Sequence, residues 1–169
     1  SILLDVADQV DDDRIMVGLC TLMLGAGNDT ASILMTNGLW ELMQKPDQMH
    51  WLRQNPDKIN QAVEEFLRCR GSLRRTERVA ARDMEFDGVE INQDDVIVMW
   101  NASASRDPAV VPDRPDEFDV KRPMGRHNAF GSGVHMCIGK VLARMETRTL
   151  YSELLKRTAV IEETRGGDA

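Results

Sequence analysis

The stretch FGSGVHMCIG (residues 130–139) decides how this chain is read. Cys137 sits among Gly131, Gly133 and Gly139, with Phe130 and His135 close by in the sequence. Glycines accept positive φ angles and let backbone come close to a flat ligand. The run that follows, KVLARMETRTLYSELLKR, reads as a helix with Val141, Leu142, Met145, Leu150, Leu154 and Leu155 on its apolar face. Cys137 therefore falls near a helix N-terminus, where free N–H groups stabilise a thiolate. For an isolated cysteine the ordinary outcome is a buried, inert thiol.

Here the whole loop agrees with one use. A thiolate beside a glycine-lined face suits axial ligation of haem iron, with the His135 ring N–H aimed at an anion such as a haem propionate. A covalent c-type attachment is excluded, because the chain has no CxxCH.

The composition around the loop narrows the class. The chain has 169 residues, 42% hydrophobic and 29% charged, which suits one globular domain burying roughly 70% of its unfolded surface. Its three cysteines, Cys20, Cys69 and Cys137, are too few and too scattered for a disulfide framework. There is no leader pattern and no apolar run long enough to span a bilayer, so no membrane is expected and a reducing, cytoplasmic setting is. A formal charge of −7 argues against nucleic acid as a partner.

SILLDVADQV reads as a helix end, and DDDR opens a second helix with acids at its positive end. Residues 15–43 are apolar on nearly every face and predict a long helix buried all round. Gly25, Gly27, Asn28, Asp29 and Thr30 interrupt it and predict a weakened backbone ladder there. Pro46 and Pro56 suit the first turns of two further helices, KPDQMHWLRQ and NPDKINQAVEEFLRCR. RVAARDMEFDGVEINQDDVIVMW alternates around an FDG turn and predicts small strands or a hairpin. NASASRDP predicts one helical turn, and residues 109–127 an irregular meander. TAVIEE is a possible strand, and TRGGDA a frayed end.

FGSGVHMCIG resembles the cysteine-ligand loop of the cytochrome P-450 family, the haem-thiolate monooxygenases, and is most similar to the bacterial soluble class. Every fixed position of F-G-x-G-x-H-x-C-x-G is present. The resemblance implies haem b as cofactor and Cys137 as the iron ligand. It implies that Phe130 packs near the sulfur and that His135 partners a propionate. Gly139 would let the next helix pass close to the haem. EEFLR is similar to the family's E-x-x-R helix. Alone, Glu65 and Arg68 would be an ordinary helix-face ion pair worth well under about 1 kcal/mol. The resemblance makes Arg122, in EFDVKRP, their third partner in a buried structural network.

AGNDT (residues 26–30) resembles A-G-x-(D/E)-T of the family's distal helix. Ala26 and Gly27 would leave room for dioxygen, and Asp29 and Thr30 would form the acid–alcohol pair that manages proton delivery. A glycine–polar kink is the plainer reading of those residues. Arg78 matches the arginine that reaches a propionate. Residues 73–76, with Leu22, Met23 and Ala26, would line the substrate side. Lys121, Arg122, Arg126, Lys140, Arg144 and Arg148 gather around the cysteine loop, where the family receives electrons from a ferredoxin or flavoprotein.

The resemblance implies a mainly α fold with small β-sheet elements. The whole chain, residues 1–169, would be the C-terminal part of that domain, without its N-terminal half and C-terminal hairpin. The implied activity inserts one atom of O2 into a small hydrophobic organic substrate. A non-catalytic haem-binding or partner-binding remnant is the alternative. Asp29 and Thr30 speak against a peroxide-using or rearranging relative, which needs no relayed protons.

Overall fold

The computed structural model describes residues 6, 10 and 12–162. Helix α1 (Asp13–Gln44) begins where the Asp12 carboxylate accepts from the Arg14 N–H at 2.8 Å, with Asp13 against the positive end of the dipole. Pro46 starts α2 (Pro46–Gln54), and Pro56 starts a 3-10 turn (Pro56–Lys58) leading into α3 (Ile59–Arg70). Strand β1 (Thr76–Val79) pairs antiparallel with β4 (Val96–Met99), Arg78 opposite Ile97. Between them β2 (Met84–Phe86) and β3 (Val89–Ile91) form a hairpin. Its two-residue turn needs positive φ twice, and Asp87 and Gly88 supply 53° and 78°. A short α4 (Asn101–Ala104) precedes the meander, which ends in a 3-10 turn (Gly133–His135) before α5 (Lys140–Arg157). The fold is mainly helical with two small two-stranded sheets, as expected.

Helix α3 is central to the core. Its Ala62, Val63, Phe66 and Leu67 are buried together with Leu34 and Leu42 of α1, Leu52 of α2, Phe118 and Val120 of the meander, and Tyr151 of α5. Phe66 stacks on Phe118 at 5.8 Å between ring centroids and tilts against Tyr151 at 4.7 Å.

Four local expectations are corrected. Helix α1 runs unbroken through Gly25 and Gly27. The hydroxyls of Thr21, Thr30, Ser32 and Thr36 each donate to the carbonyl four residues back, so these polar side chains join the helix without opening it. Nor is α1 buried all round: its buried residues are Leu34, Gly38, Glu41 and Leu42, while Leu24 is 75% exposed. Only its second half packs on α3 and α5.

Helix α5 buries Thr147, Tyr151 and Leu155, a stripe at i, i+4 and i+8, and exposes Val141, Leu142, Met145 and Leu150. The Tyr151 hydroxyl donates to the Met35 carbonyl at 2.5 Å, and that docking on α1 selects the buried face. Residues 158–162 form no strand. SILLDVADQV lies largely, and TRGGDA wholly, outside the described residues. No described helix is long and apolar enough to cross a membrane.

The α1–α5 crossing gives a test with opposite signs on one helix. A Cβ at Gly38 would stand 2.7 Å from Tyr151 Oη and 3.0 Å from the Phe66 ring, whereas one at Gly25 meets nothing within 4 Å. Alanine gains about 1 kcal/mol of helix propensity over glycine. At Gly38, overpacking of about 1–3 kcal/mol opposes that gain. Gly38→Ala is expected to lower the urea midpoint and Gly25→Ala to raise it.

Candidate functional site

The cysteine loop is pinned by its backbone. The Cys137 N–H donates to the Phe130 carbonyl at 3.0 Å, the Met136 N–H to Gly133 at 3.1 Å, and the Gly131 N–H to Asn128 at 3.1 Å. Gly131 and Gly133 take φ of 65° and 64°, the left-handed region that glycine enters without a Cβ penalty. Gly139 is the N-cap of α5 at φ −80°, and a Cβ there would make only ordinary contact with Cys137 Sγ at 3.8 Å. Of the three cysteines only Cys137 is exposed. Cys69 is buried, and burial with the Glu65 charge pushes its thiol up to about 12, so it stays protonated. Cys20 is half-buried on α1.

Two ion-pair knots are built on α3. In the first, Glu65 accepts from Arg68 Nε at 2.7 Å and Nη2 at 2.8 Å, from the Asp119 N–H at 2.9 Å and from Arg122 Nε at 3.4 Å. Arg68 also donates to the carbonyls of Pro115 and Glu117. Arg122 donates to those of Arg114 and Glu117. Glu65, Arg68 and Arg122 thus bind the meander to α3. Although burial opposes it, the Glu65 hydrogen bond raises Arg68 above its ordinary value.

The second knot was not read from the sequence. Glu64 accepts from Arg144 Nε at 2.6 Å and Nη2 at 2.9 Å, and meets His127 Nε2 at 2.9 Å. The Arg144 guanidinium lies 4.6 Å over the Phe130 ring, and His127 tilts against the same ring at 6.0 Å. Phe130, at the start of the cysteine loop, is held from α3 and α5 together.

Burial pushes the Glu64 carboxyl up, but hydrogen bonds and charge from His127 and Arg144 outweigh it and hold it at about 2, against an ordinary 4.5. A carboxyl lowered in the folded state stabilises fully above about pH 4.5, and that stabilisation is lost as pH falls towards 2. After discounting for solvent at Arg144, the loss is about 1–2 kcal/mol. Unfolding free energy followed from pH 6 to 2 is expected to fall less steeply in Glu64→Gln than in the parent.

The remaining candidates lie apart from the knots. Ala26, Gly27 and Asp29 are exposed on α1, Thr30 is half-buried, and the Thr30 hydroxyl donates to the Ala26 carbonyl at 2.6 Å. Arg78 is exposed on β1 and donates to the Glu77 carbonyl at 2.7 Å. His135 is exposed in its 3-10 turn, and Leu22, Met23 and Leu73 are exposed as well. The expected basic cluster is thinner than its sequence: Arg122 and Arg144 are spent in the knots, and Lys121 lies 5.4 Å over Trp51. Arg126 and Arg148 remain exposed.

The donor set fits haem. Among the described residues no group of three or more His, Cys, Asp or Glu converges, so a bare metal ion finds no donor shell. A lone accessible thiol suits a metal whose other ligands arrive with a flat cofactor. Apolar side chains flank it, Val134 at 98% and Ile138 at 84% exposed, and the Gly27 face of α1 is open.

The family model described as Cytochrome P450 matches residues 5–165. The chain belongs to the cytochrome P450 family. It is 39% identical over 140 residues to the putative cytochrome P450 YjiB of Bacillus subtilis (strain 168), a match covering 83% of this chain and 35% of that protein. To the biotin biosynthesis cytochrome P450 of the same organism it is 40% identical over 138 residues, covering 82% and 35%.

Among solved P450 structures, CalO2 superposes with a TM-score of 0.83 at 34% identity, covering 91% of this chain and 39% of that one. P450BioI, in complex with hexadec-9Z-enoic acid ligated acyl carrier protein, superposes with a TM-score of 0.78 at 40% identity, covering 82% and 36%. The chain spans about a third of the length of the curated P450 relatives it matches. The first knot ties the meander to α3, and the second reaches Phe130 at the start of the cysteine loop. No local signal could have exposed the second, because the doubled acid of EEFLR and the histidine of RHNAFG lie 63 residues apart.

Proposed function

We propose that this chain is the haem-ligating part of a haem-thiolate monooxygenase, with Cys137 as the iron's protein ligand. The observation that carries the reading is the exposed Cys137 thiol at the end of a backbone-pinned glycine loop. Haem b, when bound, supplies the redox centre at which dioxygen is reduced and one oxygen atom enters a C–H bond.

Every other part of the chemistry falls to this chain's own residues. Phe130, Gly131, Gly133 and Gly139 shape the face the cofactor rests on, and Phe130 shields the sulfur from water. His135 would donate its ring N–H, and Arg78 its guanidinium N–H groups, to the carboxylates of the haem. Ala26 and Gly27 leave space on the distal side. Thr30 holds a hydroxyl there, and the exposed Asp29 carboxylate exchanges protons with solvent and passes them inward. Arg126 and Arg148 offer positive charge to an acidic ferredoxin or flavoprotein donor. The substrate is a small hydrophobic organic molecule.

The test is made in the whole protein that carries this segment. Thr30→Ala is expected to bind substrate with near-normal affinity and to keep consuming reductant. Product per reductant should fall while hydrogen peroxide rises. Asp29→Asn is expected to slow turnover by roughly 10²-fold, the low end of what positioned proton transfer contributes. A fully coupled Thr30→Ala would show that proton delivery runs through another group.

A further inference from the structure

Helix α3 ends at Arg70, and the chain leaves it through Gly71 and Ser72. A Cβ at Gly71 would stand 2.7 Å from the Leu67 carbonyl oxygen and 3.2 Å from the Ala129 Cβ, so glycine is what lets the backbone turn this tightly. The turn lays residues 70–72 along α1, which they touch at three places. The Arg70 guanidinium pairs with Glu41, and the Arg70 carbonyl accepts from Asn37 Nδ2 at 3.3 Å. Ser72 Oγ donates to the Thr30 carbonyl at 2.5 Å. Positions 41, 37 and 30 share one face of the helix. Of the three ties, only Ser72 reaches the 26–30 turn. The Thr30 hydroxyl is committed within the helix to Ala26, so the one described side-chain donor from outside α1 to Thr30 is Ser72.

We propose that Ser72 is a positioning residue for Thr30, which rests on the reading of Thr30 as the alcohol that delivers protons. The Glu41 and Asn37 ties already hold α1 against the end of α3. The Ser72 bond adds a fixed distance between the 70–72 segment and the turn that carries Asp29 and Thr30. A helical turn moves as a unit, so fixing the Thr30 carbonyl fixes the Thr30 hydroxyl too. Serine fits this place because its hydroxyl is short and donates. Alanine keeps the backbone path and loses the donor, while threonine keeps both.

The experiment uses the whole haem-loaded protein and reads two quantities. The first is amide hydrogen exchange across residues 26–34. Ser72→Ala is expected to raise it roughly two- to tenfold, the equilibrium weight of one net hydrogen bond. Ser72→Thr should restore it, and Asn37→Ala, which cuts a tie further along the same face, should leave it unchanged. The second is product per reductant, expected to fall by roughly the same factor in Ser72→Ala and to fall no further when Ser72→Ala is added to Thr30→Ala.

Unchanged exchange in Ser72→Ala overturns the proposal. So does full coupling in Ser72→Ala when Thr30→Ala is uncoupled, and the reading of Thr30 then stands. If Thr30→Ala itself stays coupled, that reading fails and the positioning role falls with it.

Discussion

Glu65→Ala is expected to cost about 3–5 kcal/mol and to abolish haem uptake, because it strands a buried charge. The Arg68 side chain is 4% exposed, and among the described residues its guanidinium meets one carboxylate, that of Glu65. With that carboxylate gone, carbonyl oxygens of Ser105, Pro115 and Glu117 remain as acceptors, but none carries charge. Arg122 and the Asp119 N–H lose the same acceptor, so the meander comes loose from α3 at several points together. Domains are commonly stable by only about 5–15 kcal/mol, so this single loss is a large share. Arg122→Ala should cost less, because Glu65 keeps Arg68 and the Asp119 N–H. Urea unfolding and haem titration of the two variants check the order. A Glu65→Ala protein that folds and loads haem like the parent would show that the network supports nothing.

What was legible in the sequence was mostly local. Pro46 and Pro56 mark helix starts because a missing N–H costs nothing there. The Asp87–Gly88 turn declares itself through two residues that tolerate positive φ. The cysteine loop is legible for the same reason, with a thiol added. Long-range pairing is another matter. Arg122 is 57 residues from Glu65, and only the resemblance to a family named it as a partner. Glu64, His127 and Arg144 are separated by 63 and 80 residues, and nothing in their local pattern joins them.

Burial was the least legible property. The apolar first half of α1 reads as core, yet burial depends on what covers a helix, and composition cannot say what does. On α5 the aliphatic residues suggested one face; Leu155 of that face is buried and Leu154 half-buried, but the face docked through the Tyr151–Met35 hydrogen bond leaves Val141, Leu142, Met145 and Leu150 exposed. The unbroken course of α1 was missed because Gly25, Gly27, Asn28, Asp29 and Thr30 were read as weakening it. The Thr30 hydroxyl instead returns to the carbonyl of the preceding turn.

Cys137→Ser is expected to have the largest effect on chemistry. A serine hydroxyl does not ionise near neutral pH and is a hard donor, so the soft anionic ligand is lost outright. Neither other cysteine can replace it. The Cys69 thiol is buried and held protonated, and Cys20 lies half-buried on α1. On the proposed reading, activity of the whole protein that carries this segment should disappear in Cys137→Ser and persist in Cys20→Ser and Cys69→Ser. The most direct measurement is the visible spectrum of the reduced, carbon monoxide-treated haem protein in the parent and these three variants. The account predicts the red-shifted Soret band of thiolate ligation in the parent, Cys20→Ser and Cys69→Ser, and its loss in Cys137→Ser alone. Retention of that band in Cys137→Ser would contradict it.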